Sequence, residues 1–485
     1  MSPTLPLVRR ESTDSALREA AAALTGNALG WRRSGGARLV AEVARAVVDP
    51  DESASYLLLS CLNRQVPSER EIVDFTRAWR VDGLEKTLAT AYSHVSLRAT
   101  EAVVVESGIL IDVTDTGRSR FTTGIQRVAR ETLTRWARDH ELTLASWSTG
   151  MTHLRGAGDD EIERVILDPA VRGNVLRRPG VVLVPFGATF VLPEIAVARG
   201  RADHLRVIAR YSRSRATAIG FDCIPITTSE TSGPGMPGAF SKYLAALGAF
   251  RSIATISSAA TTEYEGWRRM LGGAGLPGPA VTTMPLPSQT ERMSPETVAA
   301  TAERLGLGDA PVVLAVGSHE PRKNHLNLLT ASELAWREGR EFTLVLVGGN
   351  AWGDDEFQEL VRSLRRKGRS ILLLSGVDDE TVWSLYGLAR FTVFCSINEG
   401  FGLPVVESLA IGTPVLTSDF GSMRELGEGH GALVVDPHDP RRMAVSMGRM
   451  LDDDDLIVRL EAETESLPVP TWDDYAARLW AVTAD

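Results

Sequence analysis

Lysine is almost missing from this chain of 485 residues. Only Lys86, Lys242, Lys323 and Lys367 occur among 52 basic residues, and the rest are arginine. Each lysine therefore marks a place to ask whether a compact ammonium is needed instead of a planar guanidinium. Cysteine is scarce as well. Cys61, Cys223 and Cys395 lie far apart with no CxxC or Cys/His spacing, which argues against a disulfide framework or a structural zinc site and fits a reducing cytoplasm. Long apolar runs are absent. The first ten residues lack the apolar core of a signal peptide. The most apolar stretch, 179–198, is broken by Pro185, Gly187, Pro193 and Glu194, which predicts a buried strand followed by a loop and not a membrane span. A positive balance is lacking too: 62 acidic residues against 52 basic give a formal charge of −10. That argues against a nucleic-acid binder. It also opposes strong attraction to an anionic membrane, although a local basic patch can still dock at the inner face. What remains is an ordinary globular composition, 44% apolar and 24% charged, with length for two to four domains.

The pattern changes along the chain. Residues 1–100 read as successive helices, at 15–24, 36–48, 54–62, 68–79 and 83–91, with apolar spacing of three to four. From Gly108 strands alternate with helices. Strands are expected at 109–113, 142–146, 181–184, 217–221, 252–256 and 281–284, and a helix from about Thr122 to Arg138. Residues 289–310 look like a linker carrying a short helix, 294–305. A second series follows, with strands at 312–316, 343–347, 370–374, 391–395, 414–417 and 432–435. Asp439 and Pro440 provide an N-cap and a first-turn proline for the helix to Met450. A Pro-rich break precedes a last helix, 472–482. The predicted organisation is a helical extension (1–100), a first doubly wound α/β domain (101–293), a second (294–465) and a helical tail (466–485), each sheet parallel with helices on both faces. Ligands of such sheets sit outside the C-terminal strand ends, so two facing domains make a cleft.

Two segments of the second domain carry chemistry. In the run Val316-Gly-Ser-His-Glu-Pro-Arg-Lys-Asn-His, Gly317 permits a tight turn after a strand. Arg322 and Lys323 then precede a helix N-terminus, a combination suited to a pyrophosphate. In Asn398-Glu-Gly-Phe-Gly-Leu-Pro-Val-Val-Glu407, a Gly-rich turn opens a helix with Pro404 near its first position. The amides of Gly400, Phe401, Gly402 and Leu403 can point at one ligand. Glu399 and Glu407 can both face it, and carboxylates chelate vicinal diols. Lys367 lies in a basic run with no evident role. Gly353-Asp-Asp reads as an exposed helix start, and 452–455 as a solvated acidic turn.

Residues 312–447 resemble the C-terminal half of the GT-B glycosyltransferases of family 4, the large retaining group. The resemblance rests on Glu320-Pro-Arg-Lys-Asn, Leu346-Val-Gly-Gly, Ser375-Gly-Val-Asp-Asp-Glu, the run from Glu399 to Glu407, Ala410-Ile-Gly-Thr-Pro-Val and Arg424-Glu-Leu-Gly. In the first domain, Asp112-Val-Thr-Asp and Thr123-Gly-Ile-Gln-Arg-Val resemble a bacterial branch associated with mannosyl transfer in surface polysaccharides. The run 54–67 resembles small helical modules that precede some bacterial glycosyltransferases. The plainer reading is a helical appendage packed on the next domain.

The resemblance implies roles. Arg322 and Lys323 would bind the donor pyrophosphate and stabilise the departing nucleoside diphosphate. Glu399 would contact donor-sugar hydroxyls and Glu407 the ribose. Val377, beside Gly376, would line the base, and Gly124 would let its helix end approach the donor across the cleft. Many relatives carry His-Asp before Ile-Pro at the end of the fourth strand of the first domain. Here the pair is Phe221-Asp222. Asp222 is left as a contact to donor or acceptor sugar, or as an Asp that caps a turn. The resemblance also implies front-face attack by the acceptor hydroxyl, with the leaving phosphate taking the proton and no metal or other cofactor. GDP-mannose is the first choice of donor, before UDP- or dTDP-hexoses, and the acceptor is a saccharide or glycoconjugate. A non-catalytic subunit of the same fold would have lost the donor residues, which are intact. An epimerase would lack the Glu-x7-Glu run, and a phosphorylase would need a cofactor lysine.

Overall fold

The computed structural model describes residues 7–26, 31, 34–93, 101–120, 123–287, 290–349, 355–467 and 470–484. Thr122, Gly353, Asp354, Gln289 and Pro468 lie outside them.

Five helices come first: α1 (Leu7–Thr25), α2 (Gly36–Ala46), α3 (Glu52–Asn63), α4 (Glu69–Asp82) and α5 (Leu84–Ser93). Helix α1 starts upstream of the expected 15, because Thr13 and Asp14 continue the helix instead of capping it. Ser68 and Glu71 form a capping box at α4.

The first α/β unit contains strands β1 (Ala102–Val105), β2 (Ile109–Asp112), β3 (Leu142–Trp147), β4 (Leu154–Gly156), β5 (Val182–Pro185), β6 (Thr189–Leu192), β7 (Arg215–Gly220), β8 (Ser252–Thr255) and β9 (Ala280–Thr283). Its helices are α6 (Thr114–Arg118), α7 (Gly124–Asp139), α8 (Asp159–Val165), α9 (Arg201–Tyr211), α10 (Ile224–Thr227), α11 (Met236–Leu247) and α12 (Ser258–Gly273). Their order in the nine-stranded sheet is β1-β5-β4-β3-β2-β6-β7-β8-β9. Two expectations change here. Residues 179–198 hold two strands, β5 and β6, not one: Gly187, at φ +85°, turns the chain between them. The sheet is also not wholly parallel, since β4 pairs antiparallel with both β3 and β5. A three-residue strand is too short to leave a periodic signal.

The helical extension joins this sheet's core. Nine consecutive residues of α3, from Ala54 to Leu62, are buried. The helix packs on β1, β5 and α9, and Tyr56 donates to the Pro185 carbonyl at 3.3 Å. Glu69 at the start of α4 accepts from Arg206 (2.6 Å), Arg210 (2.7 Å) and Tyr211 (3.0 Å) of α9. The extension thus sits as an appendage against the next unit and shields the edge strand β1.

Beyond α13 (Pro295–Leu305), the second unit contains β10 (Val312–Val316), α14 (His325–Arg337), β11 (Thr343–Val347), α15 (Asp355–Arg366), β12 (Ile371–Leu374), α16 (Asp379–Leu388), β13 (Ala389–Phe394), α17 (Leu403–Ile411), β14 (Val415–Ser418), α18 (Gly421–Gly427) and β15 (Ala432–Val435). Then come α19 (Pro440–Asp452), α20 (Asp454–Thr464) and α21 (Trp472–Ala484). All six strands are parallel, in the order β12-β11-β10-β13-β14-β15. The central strands read as unbroken apolar runs because helices cover both faces. Asp439 caps α19 through the amides of Arg441 and Arg442, both at 3.0 Å. The acidic 452–455 segment is a junction of two helices: Asp453 caps α20, while Asp452 and Asp454 pair with Arg340 and Arg390.

Helix α21 returns to the first unit and packs along α7. Trp136 donates to the Ala476 carbonyl at 2.8 Å, and Trp480 stacks on His140 with ring centroids 3.4 Å apart. No helix among the described residues is long and apolar enough to cross a membrane.

Candidate active site

Strands β10 and β13 are neighbours, so the turns that leave their C-terminal ends are adjacent. The turn after β10 is a single 3-10 turn, Pro321–Lys323, ending at Asn324 in the left-handed region (φ 62°). Asn324 holds it in place by donating to the carbonyls of Cys395 (3.0 Å) and Pro437 (2.7 Å). Arg322 is fixed further through the Asn398 carbonyl at 3.1 Å and the carboxylate of Glu320 at 3.2 Å.

Both cations converge on one carboxylate. Lys323 Nζ lies 2.7 Å from Glu399 Oε1, and Arg322 pairs with Oε2. The Lys323 ammonium also sits 4.7 Å from the centre of the Phe394 ring. Its stem runs beside Gly317, whose φ is +152° and whose Cβ position would lie 3.6 Å from the lysine Cδ and Cε. Gly317 therefore keeps both an unusual backbone angle and the lane the lysine occupies. Burial alone would raise the Glu399 pKa, but Arg322 and Lys323 outweigh it and hold it down to about 2. Burial lowers the Lys323 pKa, with Arg322 adding and Glu399 opposing. Burial works against the Arg322 charge too, and the carboxylates of Glu399, Glu320 and Asp222 reverse the effect.

The loop after β7 brings Asp222 to this cluster from the other unit. Asp222 does cap its turn: its Oδ1 accepts from Ile224 N at 3.1 Å. Oδ2 points to the Gly-rich turn. A Cβ added at Gly400 would lie 3.0 Å from Oδ2 and 2.5 Å from the Phe221 carbonyl. Glycine is needed there for this close approach. Gly400→Ala is expected to cost about 1–3 kcal/mol of stability, as overpacking does, and an unchanged thermal midpoint would contradict the contact. Burial raises the Asp222 pKa to about 6, with Arg322 opposing and Glu263 and Glu399 adding. A raised folded pKa contributes stability at low pH that is lost as pH rises through 6. Asp222→Asn should therefore stabilise the protein at pH 7–8, by up to about 2–3 kcal/mol, and make no difference near pH 4. Thermal melts of both proteins across that range measure it, and parallel curves would refute it.

The other expected positions fall as follows. Phe401 is buried in an apolar layer that also holds Phe221, Met284 and Leu286 of the first unit. Only its backbone is left for a ligand, and the phenyl ring of Phe221 is likewise turned into the core. Gly402 is the N-cap of α17 and Leu403 its first residue. Gly124 starts α7 and faces Leu403, whose Cδ1 lies 3.6 Å from the glycine's Cβ position. Val377 packs on the layer formed by Leu314, Val345 and Val347, beyond the edge strand β12. Glu407 takes different partners from Glu399: Arg127 Nη1 of α7 at 2.7 Å and the Tyr386 hydroxyl of α16 at 2.9 Å.

Several residues at the cleft were not singled out from the sequence. Arg127 belongs to the Thr123–Val128 run without a role assigned to it. Glu263 of α12 accepts from Cys223 N (2.7 Å) and Thr227 (2.9 Å) and lies 3.3 Å from the Asn398 amide. Glu425 of α18 caps α12 across the cleft, through the amides of Ser258 and Ala259, each at 3.0 Å. Tyr386 and Glu263 sit on ordinary amphipathic helices, where no local pattern marks them, and Glu425 belongs to the Arg424-Glu-Leu-Gly run without a role assigned to it.

Residues 300–466 match the family model described as glycosyl transferases group 1. The chain is 26% identical over 344 residues to the serotype-specific mannosyltransferase WbdA of Escherichia coli, covering 66% of this chain and 40% of that protein. It is 39% identical over 142 residues to the O-antigen chain mannosyltransferase B of Escherichia coli, covering 29% of this chain and 37% of that protein. A third relative is the D-inositol 3-phosphate glycosyltransferase of Acidothermus cellulolyticus, 30% identical over 209 residues, covering 41% of this chain and 47% of that protein. The chain spans about two fifths of the length of the first of these relatives. Among solved structures, Anabaena HepE in complex with UDP and glucose superposes with a TM-score of 0.56 at 15% identity, covering 78% of this chain and 100% of that one. Sucrose-phosphate synthase from Thermosynechococcus elongatus superposes with a TM-score of 0.51 at 16% identity, covering 78% and 98%. The fold is GT-B, two Rossmann-like domains facing a cleft.

Proposed function

We propose, with the glycosyl transferases group 1 domain of residues 300–466 as the premise, that this protein is a retaining glycosyltransferase. It moves a hexosyl group, mannose first among the choices, from a nucleotide-diphosphate sugar to a saccharide or glycoconjugate acceptor. The observation that carries this reading is the Arg322–Glu399–Lys323 cluster, set at adjacent strand ends and opposed by Asp222 from the other domain. Two cations stabilise the charge that develops on a departing diphosphate. Glu399 stays ionised at any working pH, so it is an acceptor for donor-sugar hydroxyls. The amides of Gly400 to Leu403 lie at the start of α17, where backbone N–H groups favour anions. Glu407 holds the ribose hydroxyls, and the base lies toward Val377. Asp222, with Oδ1 committed to its turn, keeps Oδ2 for a sugar hydroxyl.

In the reaction the bond from the anomeric carbon to the phosphate oxygen breaks on the face where the acceptor oxygen bonds. The acceptor proton passes to the leaving phosphate. The chain's own groups provide the charge stabilisation, and no metal or other cofactor enters this reading. The relatives named as mannosyltransferases support mannose. The three free, buried cysteines are compatible with a cytoplasmic site of action, with docking at the inner membrane face as part of the same proposal.

The test is sugar transfer or slow donor hydrolysis across GDP-mannose and UDP- and dTDP-hexoses. The wild type is compared with a protein carrying both Glu399→Ala and Lys323→Ala. Turnover of one donor that the double variant loses supports the reading. Equal turnover in the two proteins sinks it, and no activity with any donor sinks it in favour of a glycan- or partner-binding subunit.

A further inference from the structure

We propose that Arg127 is a positioning residue for the donor: from the first domain it reaches across the cleft and sets the Glu407 carboxylate to receive the ribose diol. Ribose capture and domain closure then become one event. The inference rests on Glu407 as the ribose-binding carboxylate and adds the residue that orients it.

The two partners of Glu407 come from opposite sides of the cleft. Tyr386 belongs to the same domain and donates to Oε2 at 2.9 Å, so it orients that oxygen whether or not the domains are together. Arg127 belongs to the other domain, 280 positions away in sequence, and donates to Oε1 at 2.7 Å. An ionised carboxylate has about four acceptor sites, two on each oxygen. Tyr386 and Arg127 take one on each, which leaves one on each oxygen, the arrangement a vicinal diol requires. The side chains are 28% and 13% exposed, so the pair is only partly screened and charge-assisted geometry holds it.

The helix that carries Arg127 is built to deliver it. Its first residue, Gly124, presents no side chain to Leu403. Its far end is clamped by α21, through the Trp136 bond to the Ala476 carbonyl at 2.8 Å and the His140–Trp480 stack. Helix α7 is thus a strut with one end fixed by the tail and the other at the ribose carboxylate. Separating the domains removes the Arg127 contact and leaves Glu407 to Tyr386 alone.

The experiment measures calorimetric affinity for GDP and UDP and for their 2′,3′-dideoxy forms, in the wild type, Arg127→Met, Arg127→Lys and Glu407→Gln. The wild type is expected to prefer the ribo form. Arg127→Met should lose about tenfold or more on the ribo form, the size of one hydrogen bond to a charged group, with the dideoxy affinity unchanged. Arg127→Lys should retain part of the preference, which separates loss of position from loss of fold. The variant with both Arg127→Met and Glu407→Gln should lose no more than Glu407→Gln alone. Equal losses on ribo and dideoxy forms would overturn the proposal, since Arg127 would then act on phosphate or base. Full ribo preference in Arg127→Met, with preference lost in Glu407→Gln, would overturn it while leaving Glu407 in its role. A wild type that binds both forms equally refutes the ribose role itself, and no binding of either diphosphate refutes both readings.

Discussion

Lys323→Ala lowers turnover by about 10²–10³-fold, the loss seen when one preorganised donor to a developing anion is removed. The chemistry at this position is unusually constrained. The ammonium is fixed by Glu399 at 2.7 Å and by the Phe394 ring, and its stem passes beside Gly317. Arginine, which the chain uses nearly everywhere else, would have to place a wider planar group in the same lane. Lys323→Arg should therefore recover little of the activity, although it restores the charge. The fold should survive Lys323→Ala, because Glu399 keeps Arg322 as a partner and is not left as a buried lone charge. Steady-state transfer or donor hydrolysis measures the effect. Turnover within fivefold of wild type for either variant would show that the cation is not used where the charge develops. The other lysines have no such confinement. Lys86 makes an exposed ion pair with Asp82 at 2.8 Å, worth little, Lys367 lies 3.6 Å from a Glu333 that Arg337 and Arg369 already hold, and Lys242 is exposed.

Arg201→Met lowers stability by about 3–5 kcal/mol, the cost of leaving buried carboxylates without their counter-charge. Arg201 is fully buried and pairs with Asp112 at 2.9 Å, with Asp115 at 2.7 Å and with Glu194. The acids are otherwise well bonded. Asp112 accepts from Thr114 and from Trp147 Nε1 at 2.7 Å, and Glu194 accepts from the amides of Asp115 and Thr116, both at 2.8 Å. These bonds pin the segment after β2, which leads towards the start of α7. Burial raises the Glu194 pKa; Arg201 opposes it, while Asp112 and Asp115 push further the same way. Removing Arg201 takes away the one opposing charge. The thermal midpoint of the first domain should fall by roughly 6–20 °C at neutral pH, and less at acid pH, where Glu194 can protonate. Adding Asp112→Asn and Glu194→Gln should restore most of the loss. A midpoint within 2 °C of wild type in the single variant would show that the network contributes no net stability.

Some of this molecule could be read one segment at a time. The strands of the second sheet are runs such as Val312–Val316 and Thr343–Val347, whose buried apolar composition leaves few alternatives. The start of α19 at Asp439 and Pro440 depends on groups within three residues of each other. Strand β4 could not be read this way. Its three residues are defined only by insertion between β3 and β5. Nor could the inward turn of Phe401, which follows from apolar side chains of both domains meeting around it.

By itself, the sequence determined the alternation of elements, the two cations after β10 and the Gly-rich turn between two glutamates, because capping, turn formation and burial of a strand are short-range effects. Only the tertiary structure decided which charges meet. Lys323 and Glu399 are 76 residues apart and Arg127 and Glu407 are 280 apart. Those pairs exist because β10 lies beside β13 and because the start of α7 meets α17 across the cleft, at Gly124–Leu403 and Arg127–Glu407. Pairing across such distances depends on how whole sheets stack and close, and no local pattern of residues carries that information.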